Sequence, residues 1–478
     1  MKILVFSLGP IFKNIVHGGS QKALRDIAVG LAERGHRITI LCPQREDNKD
    51  EFWLSENVKV VPTITLKGTF PSPYEVSPYK LYQACRIIQN MLPLFDVFYL
   101  HDGQLNIEYL KNIIPTVISL RDFCYTETLL GALNFEQEKV IVNSDHTYHC
   151  LMDSFARINP HLQNNVHLIY NGYNADKFHK KEISKEFMDY IAIPQGNFKL
   201  IGFPHRPDLD KGFIESILAL ERIIKKRRNV KMLIPEYVDK GISNRADNTY
   251  SIVNNLLKEK GLEEHVVYHK WIPHYYMDQY YSLCDVVLCI GDFCEAFSNV
   301  SVEALLCQVP VVTTNASTYR TMPIKQFLHI VDYKDIEETA KTVIDILDSG
   351  DKLKEKMNQA VEFIKINLNT EKCINEYEKV FLEASKKTIM NTRKILTSNY
   401  DPNAKFHLAP WCYYIKEEIY NDYEHTTYTD SLDGIFKEAQ SLTFKEMERL
   451  GLEISRIECA IENGILLSDT KMNQGEMS

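Results

Sequence analysis

Short β-rich runs, each closing on polar or charged residues and separated by stretches of helical pattern, restrict this chain to an α/β architecture. Met1–Phe6, Gly35–Pro43, Asp96–Asp102, Pro115–Asp122, Val140–Ser144 and Ile169–Gly172 have this form, and so do Phe198–Phe203, Asn229–Ile234, Val266–His269, Val286–Cys289 and Val309–Thr313. Strands of a parallel sheet end this way when ligands gather at their carboxyl ends. Helices are predicted over Gln21–Arg34, after the loop His17-Gly18-Gly19-Ser20, from near Gly212, and over Ser251–Lys260. Residues 1–178 and 198–368 thus read as two α/β domains, with the polar stretch Lys180 to Gly196 as their linker. Glu371 to Met390 reads as a helix with Tyr377, Val380 and Phe381 on one side.

At 478 residues the chain is long enough for two or three domains. Its net charge of −9 argues against a nucleic-acid partner, whose binding rests on phosphate neutralisation. The basic run Arg222 to Arg228 falls at the predicted end of the Gly212 helix, where cations offset the carbonyl end of the dipole. Eleven cysteines are scattered without CxxC pairs. Cys284, Cys289 and Cys294 are evenly spaced, but no histidine cluster completes a metal set with them. A reduced, cytoplasmic protein is the inference. The apolar start at Ile3 to Phe6 is too short for a signal-peptide core or a membrane span.

Glu295 and Glu303, in Glu295-Ala-Phe-Ser-Asn-Val-Ser-Val-Glu303, have E-x7-E spacing. The first is read as lying just before a helix and the second two turns inside it, both on one face at ~3.6 residues per turn. The amides of Ser298, Asn299 and Val300 would point out of the helix start as a phosphate site. Acids beside a phosphate pocket repel the phosphate, so their partners are hydroxyls. A ligand with phosphate in the middle and sugars at both ends fits, and the simplest is a nucleotide-sugar. An arbitrary pair of glutamates at this spacing is more often a solvated helix face. The odds change upstream, in Ile201-Gly202-Phe-Pro-His-Arg206-Pro-Asp-Leu-Asp-Lys211-Gly212. Arg206 and Lys211 on a loop at a strand's carboxyl end suit a pyrophosphate, since Arg forks two oxygens and Lys adds a point charge.

Together these elements make the chain resemble the retaining glycosyltransferases of family 4, the glycogen-synthase-like group 1 enzymes of GT-B fold. The resemblance covers most of the first 390 or so residues, in the right order. It implies two Rossmann-like domains facing a cleft: an acceptor-side domain at 1–178, a nucleotide-sugar donor domain at 198–368, and a helix at 371–390 that crosses back onto the first domain. It gives Arg206 and Lys211 the donor diphosphate, Glu303 the nucleoside ribose and Glu295 the sugar hydroxyls. Gly18 and Gly19 would let the backbone approach the donor. His101, Asp102, Arg121 and Asp122 are acceptor-side candidates, with a satisfied structural histidine and a loop-shaping ion pair as the plainer readings. No metal or other cofactor is implied; a UDP- or GDP-sugar is the co-substrate. The acceptor is a glycan, lipid carrier, protein or small molecule. Four departures stand out: Arg121 where His commonly precedes Asp122, Pro235-Glu236 in place of the glycine-rich turn after the Asn229 to Ile234 strand, Ser298 where Gly is usual, and Cys307-Gln308 where a Gly often follows.

Residues 391–478 lie beyond the resemblance. They are aromatic and acidic around Trp411 to Tyr428, then helical in pattern from Ser431 to about Leu467. Ile435, Ala439, Leu442, Met447, Leu450, Ile454, Ile457 and Ile461 make an apolar stripe of helical period. A mainly helical extension packed against the catalytic body is expected, ahead of a dimerisation helix through which the chain self-associates or a partner-docking arm. The last residues, after Asp469, are expected to be disordered. Two other functions stay open: a phosphorylase or nucleotide-sugar hydrolase on the same fold, and a catalytically weakened homologue serving as a binding or scaffold subunit.

Overall fold

The computed structural model of the chain describes residues 1–16, 18–45, 47–65, 77–103, 106, 108–111, 113–121, 123–136, 138–194, 196–236, 244–386, 403–416, 418–424, 426–429 and 432–468. His17, Asp122, residues 387–390 and the terminus from Asp469 onward lie outside them.

Two sheets organise residues 2–331. The first contains β1 (Lys2–Phe6), β2 (Arg37–Pro43), β3 (Phe52–Ser55), β4 (Val58–Ile64), β5 (Val97–Leu100), β6 (Thr116–Leu120), β7 (Lys139–Val142) and β8 (Val166–Leu168). Its order is β3-β4-β2-β1-β5-β6-β7-β8. Neighbours run parallel except at the β3–β4 hairpin on the edge. The second sheet contains β9 (Lys199–Gly202), β10 (Val230–Pro235), β11 (Val266–His269), β12 (Val286–Cys289), β13 (Val311–Thr314) and β14 (His329–Val331). It is parallel throughout, in the order β11-β10-β9-β12-β13-β14.

Strand order reverses between β1 and β5 in the first sheet and between β9 and β12 in the second. Open parallel sheets bind ligands in the crevice at such a reversal, outside the carboxyl ends of the strands. The loops after β1, β5, β9 and β12 carry Gly18, His101, Arg206 with Lys211, and Glu295. The topology alone therefore brings the motif residues to the two crevices. Buried apolar residues cover both faces of the second sheet. Ile217, Leu220 and Ile223 of the helix Phe213–Lys226 pack on one face, and Val302, Leu305 and Leu306 of the helix Asn299–Leu306 on the other.

Two details of the first sheet differ from the sequence reading. The hairpin β3–β4 was not anticipated, because no glycine or proline marks its Glu56–Asn57 turn. The last strand is Val166–Leu168, and Ile169–Gly172 continues as loop, where Asn171 and Gly172 engage other groups than a ladder.

The chain passes between the two sheets twice. On the outward pass is Tyr173, whose N–H donates to the Leu368 carbonyl at 2.7 Å; on the return, the Thr370 N–H donates to the Tyr173 carbonyl at 3.2 Å. A Cβ on Gly172 would lie 2.6 Å from the Thr370 Cα, so only glycine lets the passes approach this closely. Capped by Asn369, which accepts from the Lys372 N–H at 2.7 Å, the helix Thr370–Ser385 then returns to the first sheet. Its Ile374, Tyr377, Val380 and Phe381 join Ile3, Val5 and Tyr99 in one buried cluster. Glu378 on its outer side accepts from Arg34 at 2.7 Å and lies 2.9 Å from the His36 ring.

By internal contacts the chain forms two compact units. One holds both sheets and the helix Thr370–Ser385; the other holds most of the helix Pro78–Met91 together with the extension. Within this second unit the extension is not mainly helical, contrary to the sequence expectation. It contains two antiparallel three-stranded sheets, one of Lys405–Leu408, Leu442–Thr443 and Leu466–Ser468, the other of Cys412–Ile415, Glu418–Asn421 and Thr426–Thr429. The apolar stripe breaks for local reasons. Thr443 and Glu446 form a capping box that starts a new helix, Phe444–Arg449, and Gly451 at φ +96° ends the turn after it. A second helix, Ile454–Glu462, follows, so Leu450 and Ile454 are exposed while Met447, Ile457 and Ile465 are buried. Tyr79 of the helix Pro78–Met91 stacks on Trp411 at 5.2 Å and donates to Glu424 at 3.1 Å.

Phe381 is fully buried and meets Tyr99 edge-on at 5.3 Å. Phe381→Ala is expected to destabilise the protein by about 3–5 kcal/mol, the usual cost of an aromatic deletion in a core, as measured by chemical denaturation.

Candidate active site

A cavity of about 380 Å³ opens between the carboxyl ends of the two sheets, within the unit that holds both. Gly18, Gly19, Asp102, Arg121, Arg206, Lys211, Glu295, Ser298, Asn299, Val300 and Glu303 all line it. Among the site residues read from the sequence, His101 sits behind this lining and Asp122 lies outside the described residues.

The second sheet supplies the cations. After β9 the chain runs through a short 3-10 turn, Leu209–Lys211, and Gly212 at φ +85° starts the helix Phe213–Lys226. A Cβ on Gly291 would lie 2.1 Å from the Asp210 carbonyl, so this loop and the one after β12 touch backbone to backbone. That approach sets Lys211 against the second loop. Its ammonium is 2.5 Å from Glu295 Oε1 and 3.5 Å from the centre of the Phe293 ring. Arg206 is more exposed than Lys211, with its Nε 3.7 Å from Asp208. Just before Arg206, His205 donates from Nε2 to the Leu288 carbonyl at 2.9 Å; burial pushes its pKa down to about 4, so the ring is neutral.

Glu295 is not on the helix. Its N–H turns back to the Phe293 carbonyl at 2.7 Å, and Ser298 caps the helix Asn299–Leu306 by accepting from the Ser301 N–H. Glu303 is therefore just past the first helical turn rather than two turns in, and the two carboxylates flank the helix start instead of sharing one helical face. The first N–H groups of the helix, which have no acceptor within it, open onto the cavity with Ser298, Asn299 and Val300. Glu303 is buried; its Oε2 accepts from the Tyr281 hydroxyl at 3.1 Å and its Oε1 is 3.7 Å from the ammonium of Lys22. Burial is the largest influence on Glu303 and raises its pKa, against Lys22 and Tyr281, which lower it.

The first sheet supplies the opposite wall. The helix Gly19–Glu33 begins two residues earlier than the sequence suggested. A Cβ on Gly19 would lie 2.4 Å from Asn299 Nδ2, so this glycine is spoken for by the Asn299 side chain, whereas Gly18 has open space beside it. His101 is satisfied on both ring nitrogens. Nε2 donates toward the Ser20 carbonyl at 3.1 Å and lies 2.8 Å from Ser20 Oγ, while Nδ1 is 3.1 Å from the Tyr99 hydroxyl. Burial pushes its pKa down to about 4 and leaves it neutral. Asp102 lines the cavity at φ +68°, a strained backbone position for a residue with a Cβ, and accepts from Ser20 Oγ at 2.6 Å. Its Oδ1 is buried without a hydrogen-bond donor. Arg121 is buried and donates to Asn171 and, at 3.5 Å, to the Tyr377 hydroxyl.

Sequence reasoning missed Lys22 and the apolar wall of Phe178, Trp271, Ile272, Met277 and Tyr281. The apolar residues carry no local signature apart from core residues. Lys22 had one usable signal, a cation one helical turn beyond the Gly-Gly loop. Among the described residues, no group of three or more His, Cys, Asp or Glu is placed to hold a metal ion. No described helix is long and apolar enough to cross a membrane.

Solved structures share this architecture. Anabaena HepE in complex with UDP-glucose superposes with a TM-score of 0.63 at 18% identity, covering 80% of this chain and 100% of that one. Sucrose-phosphate synthase from Thermosynechococcus elongatus gives 0.63 at 15%, covering 80% and 98%. A glycosyltransferase from Rickettsia africae ESF-5 gives 0.63 at 15%, covering 81% and 99%. A search of curated proteins finds no match. With two Rossmann-like domains facing a cleft, the chain is a protein of GT-B fold. Residues 184–362, which contain the Arg206 loop, Glu295 and Glu303, match the family model of glycosyl transferases group 1.

The raised pKa of Glu303 has a consequence for stability. A carboxyl whose folded pKa exceeds its unfolded value stabilises the fold fully below the unfolded value, and that contribution is lost as pH rises through the folded one. At neutral pH the folded protein thus carries a cost for keeping Glu303 ionised. Glu303→Gln is expected to melt higher than wild type at neutral pH, with the gap closing as pH falls toward ~4.3, the ordinary glutamate value, in scanning calorimetry across a pH series.

Proposed function

We propose that the protein is a retaining glycosyltransferase that moves a sugar from a UDP- or GDP-sugar to an acceptor hydroxyl, without a metal ion. The observation that carries this reading is the convergence on one cavity of Arg206, Lys211 and a helix N-terminus between two carboxylates. Cations and unpaired amides suit a diphosphate, and carboxylates on either side suit the hydroxyls of the groups attached to it. HepE, solved with UDP-glucose, supports a nucleotide-sugar as the donor class. The wall of Trp271, Ile272, Met277 and Tyr281 adjoins Glu303 through the Tyr281 hydroxyl and would cover a nucleoside whose ribose Glu303 holds.

In the proposed reaction the bond from the sugar's anomeric carbon to the diphosphate oxygen breaks, and a bond from that carbon to the acceptor oxygen forms on the same face. The acceptor's proton passes to the departing phosphate, so no protein base is required. Negative charge grows on the leaving oxygen, and Arg206 with Lys211 would stabilise it. Lys211 is already held by Glu295 at 2.5 Å. Glu295 thus has two tasks in this scheme: it fixes the ammonium beside the diphosphate and holds a sugar hydroxyl. Asp102, which lines the cavity from the first sheet, is the acceptor-side carboxylate that would receive a hydroxyl.

Charged hydrogen bonds of this kind contribute roughly 1.5–3 kcal/mol, so Lys211→Ala should weaken nucleoside-diphosphate binding by at least about tenfold in calorimetry. Glu295→Gln should behave in the opposite sense: turnover falls steeply while nucleoside-diphosphate affinity holds or rises, because the ammonium loses its competing carboxylate. Equal losses in both measurements would remove Glu295 from the sugar.

The product glycoside should keep the donor's anomeric configuration by NMR, and activity should survive a chelator. Inverted stereochemistry, or activity lost to chelator and restored by a divalent ion, would refute the proposed mechanism.

A further inference from the structure

Where the helices Gly19–Glu33 and Asn299–Leu306 begin, the two halves of the site touch at two points. At the first, Gly19 abuts the Asn299 side chain, whose Oδ1 also accepts from Asn171 Nδ2 at 2.9 Å and from the Tyr173 hydroxyl at 2.5 Å. At the second, one turn further along each helix, Lys22 reaches Glu303. The spacing Gly19 to Lys22 matches Asn299 to Glu303 because three or four residues return to the same helical face. Lys22 is itself positioned: its ammonium is 3.2 Å from Asp26 and 5.3 Å from the centre of the Tyr173 ring.

We propose that Lys22 is a positioning residue of the donor site, carried by the first domain to hold the second domain's Glu303 as an oriented carboxylate. The inference rests on the reading of Glu303 as the ribose ligand. Tyr281 fixes one oxygen and Lys22 the other, so the carboxylate plane is set from both domains before a nucleoside arrives. A first domain that moves away takes the cation, and Asp26 of the same helix, with it, and leaves the carboxyl facing Tyr281, Tyr173 and Cys307 without a compensating charge. Nucleoside binding and domain closure are thereby linked: each favours the other through the same ion pair. Burial opposes the charge on Lys22, but Asp26 and Glu303 more than offset it, so the ammonium persists across the working pH range.

The test is a double-mutant cycle of Lys22→Met and Glu303→Gln, read by calorimetric binding of UDP and GDP across a pH series, with Lys22→Arg as the rescue. Lys22→Met is expected to weaken nucleoside-diphosphate binding by about tenfold, to raise the donor KM more than it lowers kcat, and to move the acidic limb of the binding profile to higher pH. The last follows because burial raises the Glu303 pKa against the Tyr281 hydroxyl alone once the cation is gone. Lys22→Arg should restore both affinity and limb. In the Glu303→Gln background Lys22→Met should add nothing. Additive losses, or an unmoved limb in a Lys22→Met protein that melts like wild type, would overturn the clasp and leave the donor reading standing. A wild-type protein that binds neither UDP nor GDP would overturn both.

Discussion

The geometry of the cleft depends on a pair of backbone hydrogen bonds where the chain passes between the two sheets. Tyr173 donates to Leu368 and accepts from Thr370, so the outward and returning passes are tied into a single short ribbon. Gly172 makes this possible by presenting no Cβ to Thr370. The helix Thr370–Ser385 leaves the ribbon and buries six residues, among them Tyr377 and Phe381, against the first sheet. Each sheet is thus held to the ribbon by its own packing. That anchor joins the two sheets on one side of the cavity, and the walls touch again at Gly19 with Asn299 and at Lys22 with Glu303. Arg121, donating to Asn171 just before the ribbon and to Tyr377 just after it, ties the same junction from below.

Electrostatics in the cavity follow from which charges are buried and which are shared. Lys211 and Glu295 neutralise each other at 2.5 Å, and Lys22 and Glu303 do so less tightly, beside Tyr281. His101 and His205, both buried, are neutral and serve as hydrogen-bonding struts rather than as proton carriers. A site built this way keeps its cations and carboxylates separate in role: a phosphate competes for the ammonium groups, and hydroxyls compete for the carboxylates. No side chain has to change its protonation state for the proposed transfer.

Much of the fold was legible because it is written locally. Parallel strands are short apolar runs, and their order of appearance gives away the α/β class; E-x7-E and Arg-x4-Lys could be read as a donor site since their residues lie at strand ends and helix starts. The extension was misread for a local reason as well. Its apolar positions recur at helical spacing, yet the Thr443–Glu446 capping box and Gly451 cut that stripe into two short helices, and the strands before it lacked strong alternation. Turn chemistry outweighed periodicity there.

Sequence by itself determined the two-domain α/β class and the loops and residue types that line the cavity. Tertiary structure decided which of those charges meet. Lys211 and Glu295 are separated by 84 positions and Lys22 and Glu303 by far more, so no local rule pairs them. Their contacts arise where the chain comes close at two glycines, Gly291 against the backbone of Asp210 and Lys211, and Gly19 against the Asn299 side chain. The same closeness turned His101 from a candidate ligand into a buried strut, since desolvation, which depends on what the whole chain places around a group, is invisible in its neighbours along the sequence.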